Sequence, residues 1–178
     1  ANTTGSDNTA LGYGALDANT TASENVAVGT NALTDNTIGT SNTAVGRMAL
    51  GNNTTADGNT GIGTDALFNT TTGGQNTSVG HNSMFENTTG NHNVAVGSFA
   101  LDANTEGTSN TAVGVSALGA NTTGIVNTAV GRQALQENTT GSYNQAFGYL
   151  TLQQNTTGTR NVGVGYSCIR NNTTGGDN

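Results

Sequence analysis

The chain repeats itself every 17 residues. Residues 110–126 read NTAVGVSALGANTTGIV, and residues 127–143 read NTAVGRQALQENTTGSY. Units begin at Asn8, Asn25, Asn42, Asn59, Asn76, Asn93, Asn110, Asn127, Asn144 and Asn161. Residues 1–7 match the end of a preceding unit, and Asn178 opens another. A fixed period marks stacked repeats, each too small to bury a face alone. Residues 1–178 therefore read as one repeat array of ten whole units. Neither end carries an atypical unit. Solenoids need capped ends, so the expectation is a segment of a longer fibre or an array with covered ends.

The unit reads N-T-A-V-G-x-x-A-L-x-x-N-T-T-G-x-x. Asn at place one, Gly at place five and Thr at place thirteen occur in all ten units. Place four is always apolar, from Leu11 and Val28 to Phe147 and Val164, and place nine is usually Leu. Places three and eight are small, most often Ala. Such sparse apolar residues cannot make a helical stripe, and the repeated glycines break helices. The N-T-A-V-G run alternates instead, with places two and four on one strand face and one, three and five on the other. Glycine after the strand permits a positive φ and hence a corner. The chain has no Asn-Gly pair, which argues against two-residue hairpins and for strands that wind onward.

The expected fold is all-β: a parallel β-solenoid or β-roll with one coil per 17 residues. At about 4.8 Å per coil the rod would be roughly 50 Å long. The expected core is Val28, Leu33, Val45, Leu50, Ile62, Leu67, Val79, Val96, Leu101, Val113, Leu118, Val130, Leu135 and Val164. Stacked asparagines can bond amide to amide, so Asn25, Asn42, Asn59, Asn76, Asn93, Asn110, Asn127, Asn144 and Asn161 are expected to form a ladder. This core is thin for the backbone entropy it must offset, which points to association between chains. The small residues at places three and eight are candidates for that close approach. The alternative is that they let the walls of one coil meet. Likewise the association is either a trimer or single-chain solenoids stacked end to end into a filament.

Composition narrows the function. Thr, Asn and Gly number 34, 27 and 27, while only 8% of the 178 residues are charged. Four Arg and no Lys leave too few cations to neutralise a nucleic-acid backbone. No apolar run is long enough for a membrane-spanning helix. His81 and His92 fall at different places of one unit, so no metal-ligand spacing and no cofactor are expected. Asp35, Glu86 and Glu137 share place eleven but lie three coils apart, roughly 14 Å at the strand spacing. No paired acid and base emerges, and the chain does not read as an enzyme. Calcium-binding rolls want Asp where this repeat has Asn. Cys168 stands at place eight, where most units have Ala, and reads as a buried inert thiol.

The run Thr111-Ala112-Val113-Gly114 followed by Ala117, and Thr128-Ala129-Val130-Gly131 followed by Ala134, resembles the head repeat of trimeric autotransporter adhesins of the YadA type. With its N-T-T-G segment, the unit resembles repeats of tail-fibre-domain proteins of phages and bacterial surfaces still more closely. The adhesin repeat is shorter by about three residues. The resemblance covers the whole chain and implies a left-handed, trimeric β-roll serving as a stalk or adhesive head. The expected role is thus a structural or adhesive extracellular fibre segment, at a cell surface or on a virion. Its partners would be further copies of itself and a host-surface or glycan receptor met through the variable turns. Aromatic residues Tyr13, Phe68, Phe99, Tyr143 and Tyr166 sit in those turns.

Two alternatives come from the threonines. N-T-T supplies N-glycosylation sequons at Asn19, Asn53, Asn69, Asn87, Asn121, Asn138, Asn155 and Asn172, so a glycan-coated filament is one reading. Asn36 and Asn104 keep the N-T pair but lose the sequon to Ile38 and Glu106, which favours a structural role for the row. The other alternative is a solenoid that binds glycan or ice through a flat face. Adjacent threonines such as Thr122 and Thr123 point to opposite sides of an extended strand, which argues against an ice-binding row there.

Overall fold

A computed structural model describes residues 2–178. It is all-β, a solenoid with one coil per repeat and no helix among the described residues. Ten three-residue strands occupy places two to four of each unit. They are β1 (Thr9–Leu11), β2 (Val26–Val28), β3 (Thr43–Val45), β4 (Thr60–Ile62), β5 (Thr77–Val79), β6 (Val94–Val96), β7 (Thr111–Val113), β8 (Thr128–Val130), β9 (Gln145–Phe147) and β10 (Val162–Val164). They form one parallel sheet in sequence order. The register sets each residue beside its copy one unit on, as Ala112 beside Ala129.

Hydrogen bonding between coils continues outside the strands. Leu118 N–H donates to Ala134 C=O at 3.0 Å, and Thr122 N–H donates to Thr139 C=O at 2.9 Å. Most of the backbone need is thereby met by the next coil, as a buried backbone requires. The corner glycine is forced by contact as well as by angle. Gly114 has φ +133°, and a Cβ there would stand 2.6 Å from the Gly131 carbonyl. Less expected is the leucine at place nine. Leu33, Leu50, Leu118 and Leu135 all have φ between 50° and 52°. A left-handed leucine costs roughly 1–2 kcal/mol, so full burial of its side chain must offset that in each coil.

The core differs from expectation in one respect. The leucines are inside: Leu33, Leu50, Leu67, Leu101, Leu118 and Leu135 are fully buried. So, away from the end coils, are the small residues at places three and eight, among them Ala44, Ala49, Ala112 and Ala117. These alanines therefore let two walls of one coil meet, and do not face another chain. Place four, expected in the core, lies on the outer face of the sheet. Val28, Val45, Val79, Val113 and Val130 are half-buried, while Ile62, Val96 and Val164 are exposed. The reason lies at place one. Its asparagine must turn inward to find hydrogen-bond partners, and strand alternation then carries place three inward and places two and four outward.

Candidate functional site

Two rows of asparagine run through the interior. In the first, Asn127 N–H donates to Asn110 Oδ1 at 3.0 Å, and Asn110 Nδ2 donates to the Gly124 carbonyl at 2.8 Å. The same bonds recur at Asn25, Asn42, Asn59, Asn76, Asn93, Asn144 and Asn161. The second row stands at place twelve, where the sequence offered either a glycosylation motif or a structural row and favoured the latter. Asn121 Nδ2 donates to Asn104 Oδ1 at 2.8 Å and to the Gly124 carbonyl at 3.1 Å. Both rows thus converge on one place-fifteen carbonyl per coil, a glycine in most coils and Ala22 or Ala56 in two.

This geometry corrects the sequon reading. Asn19, Asn53, Asn87, Asn121, Asn138 and Asn155 are at most 1% exposed, and their amide nitrogens are engaged. A glycan on any of them would open the coil. Asn172 is half-buried and bonds to Asn155 and Gly175 in the same manner. Asn69 stands one place earlier, half-buried, with its amide on Glu86. The near-invariance of Asn at place twelve, with or without a sequon, was the signal that it is a second ladder. Beside it the place-thirteen threonines from Thr37 to Thr156 are half-buried, and Thr122 Oγ1 donates to the Thr139 carbonyl at 3.0 Å.

The ladder breaks once. Place twelve of the unit starting at Asn59 holds Thr70, fully buried. Its hydroxyl and the Oδ1 of Asn53 in the coil before it have no partner.

Two surfaces remain for contact. One is the outer sheet face, carrying places two and four from β1 to β10. No residue on it is charged, and most are Val or Thr. The other is the run of variable turns, where side chains stack in short series. The rings of Phe68 and Phe85 lie 5.4 Å apart, stacked. Tyr149 and Tyr166 pair at 5.4 Å, and the Arg132 guanidinium lies over Tyr149. The rings of His81 and Phe99 meet nearly at right angles with centroids 5.3 Å apart, whereas His92 is exposed at place seventeen. Arg47 pairs with Asp65 and Arg160 with Asp177. Asp102 in these turns is half-buried, and its carboxyl is held above the usual range by burial, with Glu86 adding and His81 opposing. No group of three or more metal-ligating side chains occurs among the described residues. Cys168, expected to be buried, is half-exposed in the last coil.

Comparison with protein-family models, curated proteins and solved structures found no match. Function rests on the two surfaces.

Proposed function

We propose that the chain is a structural segment of an extracellular fibre, at a cell surface or on a virion, that self-associates along its sheet face and meets a receptor through its variable turns. The observation that carries this is the outer row of places two and four. It is an uncharged, largely β-branched stripe along all ten strands, half-buried to exposed within the array, with Val96 at 38% exposure and Phe147 at 39%. Contiguous apolar stripes of this kind mark association surfaces. A trimer, with three stripes turned toward one axis, suits the narrow face, and the resemblance to trimeric adhesin heads and tail-fibre repeats supports the same arrangement. The constant cross-section suits a spacer, and the turns that differ from coil to coil suit recognition.

Sedimentation velocity tests this directly. The expected result is an elongated particle of three chains, and Val113→Lys, on the outer face, should release folded monomers. A monodisperse monomer of the parent chain, or a Val113→Lys variant that still forms trimers, overturns it.

One observation favours a second reading, ice binding. In β7 and β8 the threonines at place two and valines at place four turn to the same outward side, two residues apart. A monomer that shapes growing ice crystals through this face, and loses the effect on Thr111→Lys, would replace the association reading.

A further inference from the structure

The coil that begins at Asn110 is worn thin on its turn side. Where the coil before carries Phe99 and Asp102, and the coil after carries Gln133, Gln136 and Glu137, it has Ser116, Gly119 and Ala120. A cleft of about 360 Å³ opens over these three. Phe99 and Asp102, from the coil before, form one wall, and Gln136 and Glu137, from the coil after, form the other. The walls stand two coils apart, roughly 10 Å at the strand spacing.

The chemistry of the walls is one-sided. Each carries a carboxylate, and neither Lys nor Arg lines the cleft. Phe99 packs at right angles against His81 and remains 39% exposed. Gln136 Oε1 accepts from Gln153 Nε2 at 3.0 Å, which fixes the carboxamide. An aromatic surface beside carboxylates attracts a cation with an apolar body, through the ring quadrupole and through charge. An anion would face both carboxylates, and a neutral ligand would leave their mutual field unrelieved.

We propose that this cleft binds an organic ammonium group, with Phe99 as the platform and Asp102 and Glu137 as counter-charges. The ammonium has two natural sources, an amino sugar of a glycan or the lysine side chain of a partner protein. The site lies within one chain and stands independently of how the sheet face is used.

Titration of the isotope-labelled full chain, followed by amide chemical shifts, tests it. The probes are glucosamine, N-acetylglucosamine and Nα-acetyl-lysinamide. Glucosamine or the lysine derivative should shift Ser116, Gly119 and Ala120, and N-acetylglucosamine should not. A response to glucosamine alone identifies the glycan source, and a response to the lysine derivative alone the protein source. Ala120→Gln places in the cleft a side chain that the same row already holds at Gln154, so its fold is safeguarded. It should weaken binding by about fivefold or more, as should Phe99→Ala, since a cation–π contact of about 1 kcal/mol is about fivefold in Kd. Equal binding of N-acetylglucosamine, undiminished binding to Ala120→Gln, or no shift with either amine at about 10 mM, where even a mM-range Kd would register, overturns the proposal.

Discussion

Replacing Thr70 by Asn should make the protein more stable, although it alters a fully buried residue. In intact coils each place-twelve asparagine takes part in three bonds. Asn104 donates to Asn87 Oδ1 at 2.8 Å and to the Gly107 carbonyl at 3.1 Å, and accepts from Asn121 at 2.8 Å. Thr70 makes none of these, and Asn53 Oδ1 beside it lacks a partner too. The new residue would donate to Asn53 Oδ1 and to the Gly73 carbonyl, and would accept from Asn87 Nδ2, which now reaches only Gly90. Three buried hydrogen bonds at about 1 kcal/mol each, less the cost of fixing one more amide, give a gain of about 2 kcal/mol. At this chain length that is a rise in Tm of roughly 4–8 °C. Thermal unfolding followed by circular dichroism, with urea titration beside it, reads the change. The mirror experiment is Asn121→Thr, which copies the break into an intact coil and should lose a similar amount. If Thr70→Asn is neutral or destabilising while Asn121→Thr is costly, place twelve is held by shape rather than by amide bonding, and the ladder argument fails.

Two further outcomes follow from the same geometry. Gly114→Ala sets a Cβ 2.6 Å from the Gly131 carbonyl at φ +133°, so it should cost several kcal/mol; a variant that melts with the parent would refute the contact. Asp102→Asn should raise Tm at neutral pH and lose its advantage in acid. The carboxyl is raised above 3.8, mainly by burial. Between the unfolded and folded values the folded chain therefore binds more protons, and parent stability falls as pH rises through that window. Melting curves of both chains from pH 3 to 8 check this, and a gap that does not widen with pH sinks it.

The period, the coil and the corner glycine were all legible in the repeat itself. Alternation over N-T-A-V-G also separated the two strand faces correctly, but it could not say which face is inside. Bulk argued for Val113 and against Ala112, and bulk was the wrong guide. The coil is too narrow for two β-branched rows beside the leucine, and Asn110 claims the interior because its amide needs the Gly124 carbonyl. Place twelve kept two readings open, of which the structural one was favoured. N-T-T satisfies a glycosylation motif whatever its burial, and only stacking reveals that Asn121 has no access to solvent. The left-handed backbone at Leu118 left no trace in the residue type, because leucine has no preference for that region. The break at Thr70 was visible as a departure from the repeat. The cleft over Gly119 needed three coils in register, which no single unit displays.

The amide rows also give the rod an arrow. In both ladders every side-chain bond runs the same way: an N–H from one coil meets the Oδ1 of the coil before it. The backbone of a coil donates in both directions, but along the two amide rows one face presents Oδ1 acceptors and the other presents N–H donors. Turned head to head, two coils would oppose like with like, and no rotation about the axis would mend it. Only a copy pointing in the same direction can extend the row. A copy that continued the ladders would therefore have to stack head to tail, and a two-fold axis across the rod is incompatible with joined ladders.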